Sequence, residues 1–255
     1  MKLKFLGTGT SQGVPVIGCN CPVCQSQDPK DKRLRASAII TTDENRKILI
    51  DCGPDFRTQM LENQESECDA ILLTHEHNDH VIGLDDVRPI IFRSRKDMPI
   101  YAHERVAQEI RNRFPYAFSE DRYPGAPSFD LNIIENRPFE LLNEIITPIK
   151  VLHYKIDIFG YKFKNLAYIT DASFIDEREK EKLKNLDYLI LNCIRKEDPH
   201  PAHFILPDIV TLFNKLKPKK LLLTHISHLF GVHHNEELVL PKGIELAYDG
   251  LELEF

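Results

Sequence analysis

Residues 69–74, DAILLT, form an apolar run of strand length that ends directly in His75-Glu76-His77-Asn78-Asp79-His80. A buried strand delivers its end rigidly, so this junction must present four metal-capable side chains from one loop at the edge of a sheet. His75 and His77 alternate and can share a side. Asp79 and His80 follow the turn to a second point. The spacing permits two metal ions a few Å apart, one held mainly by imidazoles and one by a mixed histidine and carboxylate set.

The rest of the chain alternates short strands and helices, with no low-complexity linker and no internal repeat. Residues 2–6 read as a strand entering the glycine-rich loop GTGTSQG, and SAIITT (37–42) and KILID (47–51) as a hairpin. Pro54 opens a helix over 55–64, and 104–114 is also helical. Residues 115–130 read as a loop rich in proline and aromatics. EIITPIKVLHY, GYKFKN, LAYITD, DYLILN and KKLLLTH are strands in the second half. They are accompanied by a charged, exposed helix at 176–185 and an amphipathic one at 206–217. The tail IELAYDGLELEF reads as a final hairpin. Two β-rich halves with outer helices predict an α+β fold of two sheets inside helix layers, built as one domain over 1–255.

The chain has 255 residues, 42% of them hydrophobic, and a net charge of −6. The acidic balance argues against a generic nucleic-acid partner. No apolar run reaches the roughly 18 residues of a membrane helix, and the N-terminus lacks a signal-peptide stretch, so a cytoplasmic protein is expected. Against no tryptophan stand 11 histidines and 6 cysteines. In a reducing compartment the cluster Cys19, Cys21 and Cys24 reads as a metal clamp rather than as disulfides. Three thiolates need a fourth ligand, for which His228, His233 and His234 are the candidates.

Three further strand ends can complete the main cluster: His153 after KVL, Asp171 after LAYIT and His225 after KKLLLT. The run THEHNDH, followed in order by these residues, resembles the metallo-β-lactamase-fold hydrolases, whose signature is His-x-His-x-Asp-His. The resemblance implies a four-layer αββα sandwich. It also implies one metal on His75, His77 and His153, a second on Asp79, His80 and His225, and Asp171 bridging both. Asp51, in LIDCG, matches an early Asp that supports the loop without binding metal. Zinc suits this donor set, with manganese or iron as alternatives. Two such ions acidify a shared water and neutralise charge on a phosphoryl or carbonyl oxygen.

GTGTSQGVPVIGCNCPVC, LLLTHISH and LPKGIELAYDGLEL together resemble the phosphoribosyl cyclic phosphodiesterases of the carbon–phosphorus lyase pathway. That resemblance implies a structural zinc on Cys19, Cys21, Cys24 and His228. It also implies that His203, before a helix, assists the leaving group or the phosphoryl oxygen, making Asp79 and His203 the residues assigned to catalysis. His200 reads as structural, and His233 and His234 as surface residues. Arg88 and Arg93 read as salt-bridge partners, with reach toward an anionic substrate as the alternative. The GTGTSQG loop offers backbone N–H groups to a phosphate but is no dinucleotide fingerprint, because Pro15 and the cysteines follow where a helix should begin.

The expected function is a dinuclear-metal phosphodiesterase acting on a small cyclic phosphate or nucleotide-like ester, soluble and with a homodimer as one allowed assembly. The alternatives are a lactone or ester hydrolase, a tRNA 3′-end nuclease, and a non-hydrolytic accessory protein resembling the zinc protein of pyrroloquinoline quinone biosynthesis. An oxygen-reducing diiron protein fits less well, since that family has Glu at the place of His77 and an appended flavin domain. The nuclease lacks its basic arm here.

Overall fold

The computed structural model describes residues 1–119 and 121–255. Strand alternation decides its layers. Ala38, Ile40, Ile48, Ile50, Ala70 and Leu72 face one cluster, while their neighbours Ile39, Leu49, Ile71 and Leu73 face another. Because side chains of a strand alternate between faces, a strand that is apolar at every position must be covered on both sides.

The first sheet contains β1 (Lys2–Gly7), β2 (Ser37–Thr41), β3 (Lys47–Ile50), β4 (Ala70–Leu72), β5 (Met98–Ala102) and β6 (Phe129–Ile133). The second contains β7 (Phe139–Leu141), β8 (Glu144–His153), β9 (Ile156–Phe163), β10 (Leu166–Ile169), β11 (Phe174–Ile175), β12 (Tyr188–Asn192), β13 (Lys220–Thr224) and β14 (Ile244–Leu246). β15 (Glu252–Glu254) returns to the first sheet, whose order is β15-β1-β2-β3-β4-β5-β6. The second runs β11-β8-β9-β10-β12-β13-β14, with β7 paired to β8. Leu3, Phe5, Tyr161, Tyr168, Ile190 and Leu222 join the inward residues above in the core between the sheets.

The helices are α1 (Pro22–Gln25), α2 (Phe56–Glu62), α3 (Asn78–Val81), α4 (Arg88–Ser94), α5 (Glu104–Arg113), α6 (Glu177–Lys182), α7 (Leu206–Leu216) and α8 (His233–Glu237). Phe56 and Met60 of α2, Ile91 of α4 and Val106 and Ile110 of α5 cover the outer face of the first sheet. Ile209, Leu212 and Leu216 of α7 cover that of the second. The result is the expected αββα sandwich. No helix among the described residues is long and apolar enough to cross a membrane.

The structure departs from the sequence reading at several places. The tail is no hairpin: β14 pairs in parallel with β13, whereas β15 pairs antiparallel with β1 in the other sheet. The turn between them spans the sandwich, which local turn chemistry cannot reveal. The stretch 115–130 is not all loop, since β6 begins at Phe129; position 120 lies outside the described residues. Helix α2 starts only after Asp55, whose carboxylate accepts from the backbone and guanidinium of Arg35 instead of capping the helix. Helix α6 is not wholly exposed. Its Glu179 is buried and accepts from Asn136, the Lys150 amide and Lys182.

Candidate metal centre

β3 and β4 run parallel, as do β10, β12 and β13. In such sheets the carboxyl ends of the strands open where ligands bind. Asp51 follows β3, His75 follows β4, Asp171 follows β10 and His225 follows β13; His153 closes β8. Asp51, Asp171 and His225 have φ values of +60°, +59° and +52°. Non-glycine residues avoid this left-handed region at a cost of about 1–2 kcal/mol each, so the surrounding fold must hold them there.

The side chains meet as two overlapping sets. His75, His77 and His153 present donor atoms within 4.8 Å of one another, and so do Asp79, His80 and His225. Asp171 stands between the sets. It shares one such group with His75 and His80, and another with His153 and His203. His80 Nε2 lies 3.1 Å from Asp79 Oδ2 and 3.3 Å from Asp171 Oδ2, and His225 Nε2 lies 3.1 Å from Asp171 Oδ1.

Outer partners orient these donors. Asp51 accepts from the Thr74 amide and hydroxyl, both at 2.8 Å, and from His80 Nδ1 at 2.7 Å. His153 Nδ1 donates to the Ala202 carbonyl at 2.9 Å. In each case the Nδ1 contact fixes the tautomer and leaves Nε2 for a ligand. His80 Nε2, His225 Nε2 and His203 Nδ1 are buried with no hydrogen-bond partner.

The electrostatics show what the cluster needs. Burial opposes charge on His80, yet Asp171, Asp51 and Asp79 overcome it and hold that imidazole well above its usual range. Burial and the neighbouring His80 push His75 well below. Buried carboxylates facing unpartnered imidazole nitrogens are a site suited to divalent cations, and these residues fit that role.

The second cluster also assembles. Cys19 Sγ and Cys21 Sγ lie 3.2 and 3.4 Å from His228 Nδ1, and Cys24 completes the group. Burial tends to raise the Cys21 thiol, but the Cys24 amide and the His228 ring bring it down to about 6. Burial and the adjacent thiols push Cys24 up to about 11. Three cysteine sulfurs and an imidazole gathered at one point suit a cation among them, and a Cys₃His set fits tetrahedral zinc.

His203 sits beside the main cluster, its Nδ1 3.7 Å from Asp171 Oδ1 and its ring 4.9 Å from those of His153, His225 and His200. Burial, with His225 nearby, pushes it down to about 3. His200 Nδ1 accepts from the Ala202 amide. Arg88 instead pairs with Asp85, Arg93 donates to the Ser66 carbonyl, and both line a groove that contains none of the cluster residues.

His233 requires a correction. It is buried, and its Nδ1 lies 2.9 Å from Nη2 of the equally buried Arg33, which also donates to Thr8 and to the Ala247 carbonyl. His234 is exposed. The glycine-rich loop uses its amides internally, Gly9 to the Leu34 carbonyl and Gly13 to the Thr10 carbonyl, so these two N–H groups do not face a ligand.

The sequence reading also missed Gly53. A Cβ there would lie 2.1 Å from the Asp79 carbonyl oxygen. Meanwhile the Cys52 amide donates to the His80 carbonyl at 2.7 Å, so the metal loop rests directly on LIDCG. The small residue two places after the strand-end Asp51 was the available signal. Gly53→Ala should displace the loop, cutting metal-dependent turnover by about 100-fold and lowering metal affinity in a chelator-competition titration. Unchanged affinity would refute the contact's role.

The family model described as the beta-lactamase superfamily domain matches residues 46–226. A crystal structure of a diphosphatase from the PhnP family is 41% identical and covers 100% of this chain and 97% of that one, with a TM-score of 0.92. Zinc-bound PqqB from Methylobacterium extorquens shares the fold at 19% identity, covering both chains fully with a TM-score of 0.82. An octanoyltransferase of Porphyromonas gingivalis is 40% identical over 253 residues, 99% of this chain and 51% of that protein. The chain thus spans about half the length of that curated relative. These relationships agree with the sandwich, and the chain belongs to the beta-lactamase superfamily, with a metallo-β-lactamase fold close to that of the PhnP-family diphosphatase.

Proposed function

We propose that the protein is a dinuclear-metal phosphodiesterase that cleaves a small cyclic phosphate or a nucleotide-like phosphodiester. The observation that carries this reading is that His75, His77, His153, Asp79, His80 and His225 form two overlapping sets, with Asp171 between them and His203 at their edge. These residues would hold divalent ions, which would supply Lewis acidity there. The chain's own residues do the rest. Asp51 and the Ala202 carbonyl lock the orientation of His80 and His153. His203, neutral at rest, offers a ring N–H to the leaving oxygen, and an arriving anion raises its proton affinity toward the range useful for acid catalysis.

The Cys19, Cys21, Cys24 and His228 set would hold a structural zinc that ties the N-terminal loop to the segment carrying His225. The name of the Porphyromonas relative belongs to a protein about twice as long, and acyl transfer forms no part of this reading.

The test is turnover with and without metal on 5-phosphoribosyl 1,2-cyclic phosphate, 2′,3′-cyclic nucleotides and bis-p-nitrophenyl phosphate. Metal-dependent hydrolysis of at least one is expected. Hydrolysis of lactones or thioesters with none of these phosphodiesters would overturn the proposal.

A further inference from the structure

A cavity of about 370 Å³ opens directly beside the imidazole triad, lined by His77, His153, Tyr154, Ile156, Pro201 and Ala202. Two of its walls are metal-capable histidines, and the other four residues present mostly carbon. That volume is at the small end for ligand sites and suits a single ring system rather than a long chain.

Tyr154 is the unusual member. It occupies the first position of the two-residue turn joining β8 to β9, where His153 pairs with Ile156. Its φ is +54°. Two-residue hairpin turns with positive φ select glycine, asparagine or aspartate, because a larger side chain is strained there. Here a tyrosine holds the position instead, with its ring half exposed and so not required by the core. Lys155 Nζ lies 5.0 Å from the centre of that ring, adding positive charge at the rim. Local preference is thus overridden immediately after a candidate metal ligand, in a residue whose side chain lines the cavity.

We propose that Tyr154, with Ile156, Pro201 and Ala202, forms a subsite for a planar aromatic group attached to the phosphoryl centre. This rests on the phosphodiesterase reading and adds a substrate class to it. The ring stacks on Tyr154, the apolar wall excludes water from its far side, and Lys155 favours the anionic charge of the ester. A nucleobase and a simple aryl group share this chemistry, and the test separates them.

The experiment compares the metal-replete protein with Tyr154→Gly and Tyr154→Phe. Calorimetric binding of a nucleoside monophosphate, of phenyl phosphate and of inorganic phosphate is measured beside KM and kcat for the corresponding esters. Stacking of this kind predicts that the wild type prefers the aromatic phosphates to inorganic phosphate by about tenfold or more. Tyr154→Gly should lose that preference through KM rather than kcat, and Tyr154→Phe should keep it. Tm should hold or rise in Tyr154→Gly, because glycine relieves the turn, so the loss cannot be ascribed to unfolding. A preference for the nucleoside over the phenyl compound identifies a base as the occupant, and equal binding identifies a general aryl site.

An unchanged preference in Tyr154→Gly overturns the subsite while leaving the phosphodiesterase reading intact. So does a preference for an octanoyl thioester over every aromatic phosphate, if phosphodiesters are still cleaved. Absence of any phosphodiester turnover overturns both.

Discussion

Asp79→Asn should lower kcat by about 10³-fold or more, while leaving the metal of the cysteine clamp in place. Asp79 Oδ2 lies 3.1 Å from His80 Nε2 and 3.9 Å from His225 Nε2, so its carboxylate belongs to the point where these imidazoles converge. Burial tends to raise its proton affinity, but His80 and His225 outweigh this and keep it ionised. Asparagine preserves shape and removes the charge. Its amide oxygen is a neutral and weaker ligand for a cation, and it no longer balances positive charge on His80. Metal analysis should show a loss of about one equivalent.

Thermal unfolding provides an independent check on the same variant. In the metal-free protein, His80 and His225 attract the Asp79 carboxylate more strongly than Asp171 repels it, so Asp79→Asn should lower Tm. With metal added, the gain in Tm that follows from binding to the folded state should shrink. Full metal content with full turnover would remove Asp79 from the centre.

The strand-to-loop junction at His75 was legible because both of its signals are local. DAILLT is apolar at successive positions, as a strand covered on both faces requires, and four donor residues follow within six positions. His153, Asp171 and His225 were legible as strand ends, since the ends of short strands can be read to within a residue or two. Other features depend on partners distant in sequence. His233 resembles a surface histidine beside His234, and it is buried because Arg33, 200 residues earlier, lies beneath it. β14 and β15 read as a hairpin because they are short and adjacent, yet each completes a different sheet. The left-handed backbone at Asp51, Asp171 and His225 has no composition signal, because only the assembled site holds it there.

The cysteine clamp should matter more to stability than its size suggests. The segment around Val14, Val23 and Cys24 has a core of only those three buried residues, with Val16, Cys19, Cys21 and Val232 packed against it. Helix α1 has four residues and cannot stand alone. Val14 exchanges a pair of backbone hydrogen bonds with Arg33 at one end of this loop, and the contact that holds its cysteine end is that with His228, three residues beyond His225. Cys24→Ser replaces a thiolate with a hydroxyl that binds zinc poorly. Because release of the loop limits the damage, the cost should be on the order of 3–5 kcal/mol, or about 10 °C in Tm. The same change should open the segment 14–26 to limited proteolysis. Turnover should fall less than in Asp79→Asn, by roughly tenfold, because His225 is loosened but still present. Ligand thiolates compete with protons, so clamp metal should be lost to a chelator faster as pH falls through the region of Cys21, near 6. If Tm, proteolysis and chelator resistance all match the wild type, the four residues do not form a metal site, and apolar packing alone holds the loop.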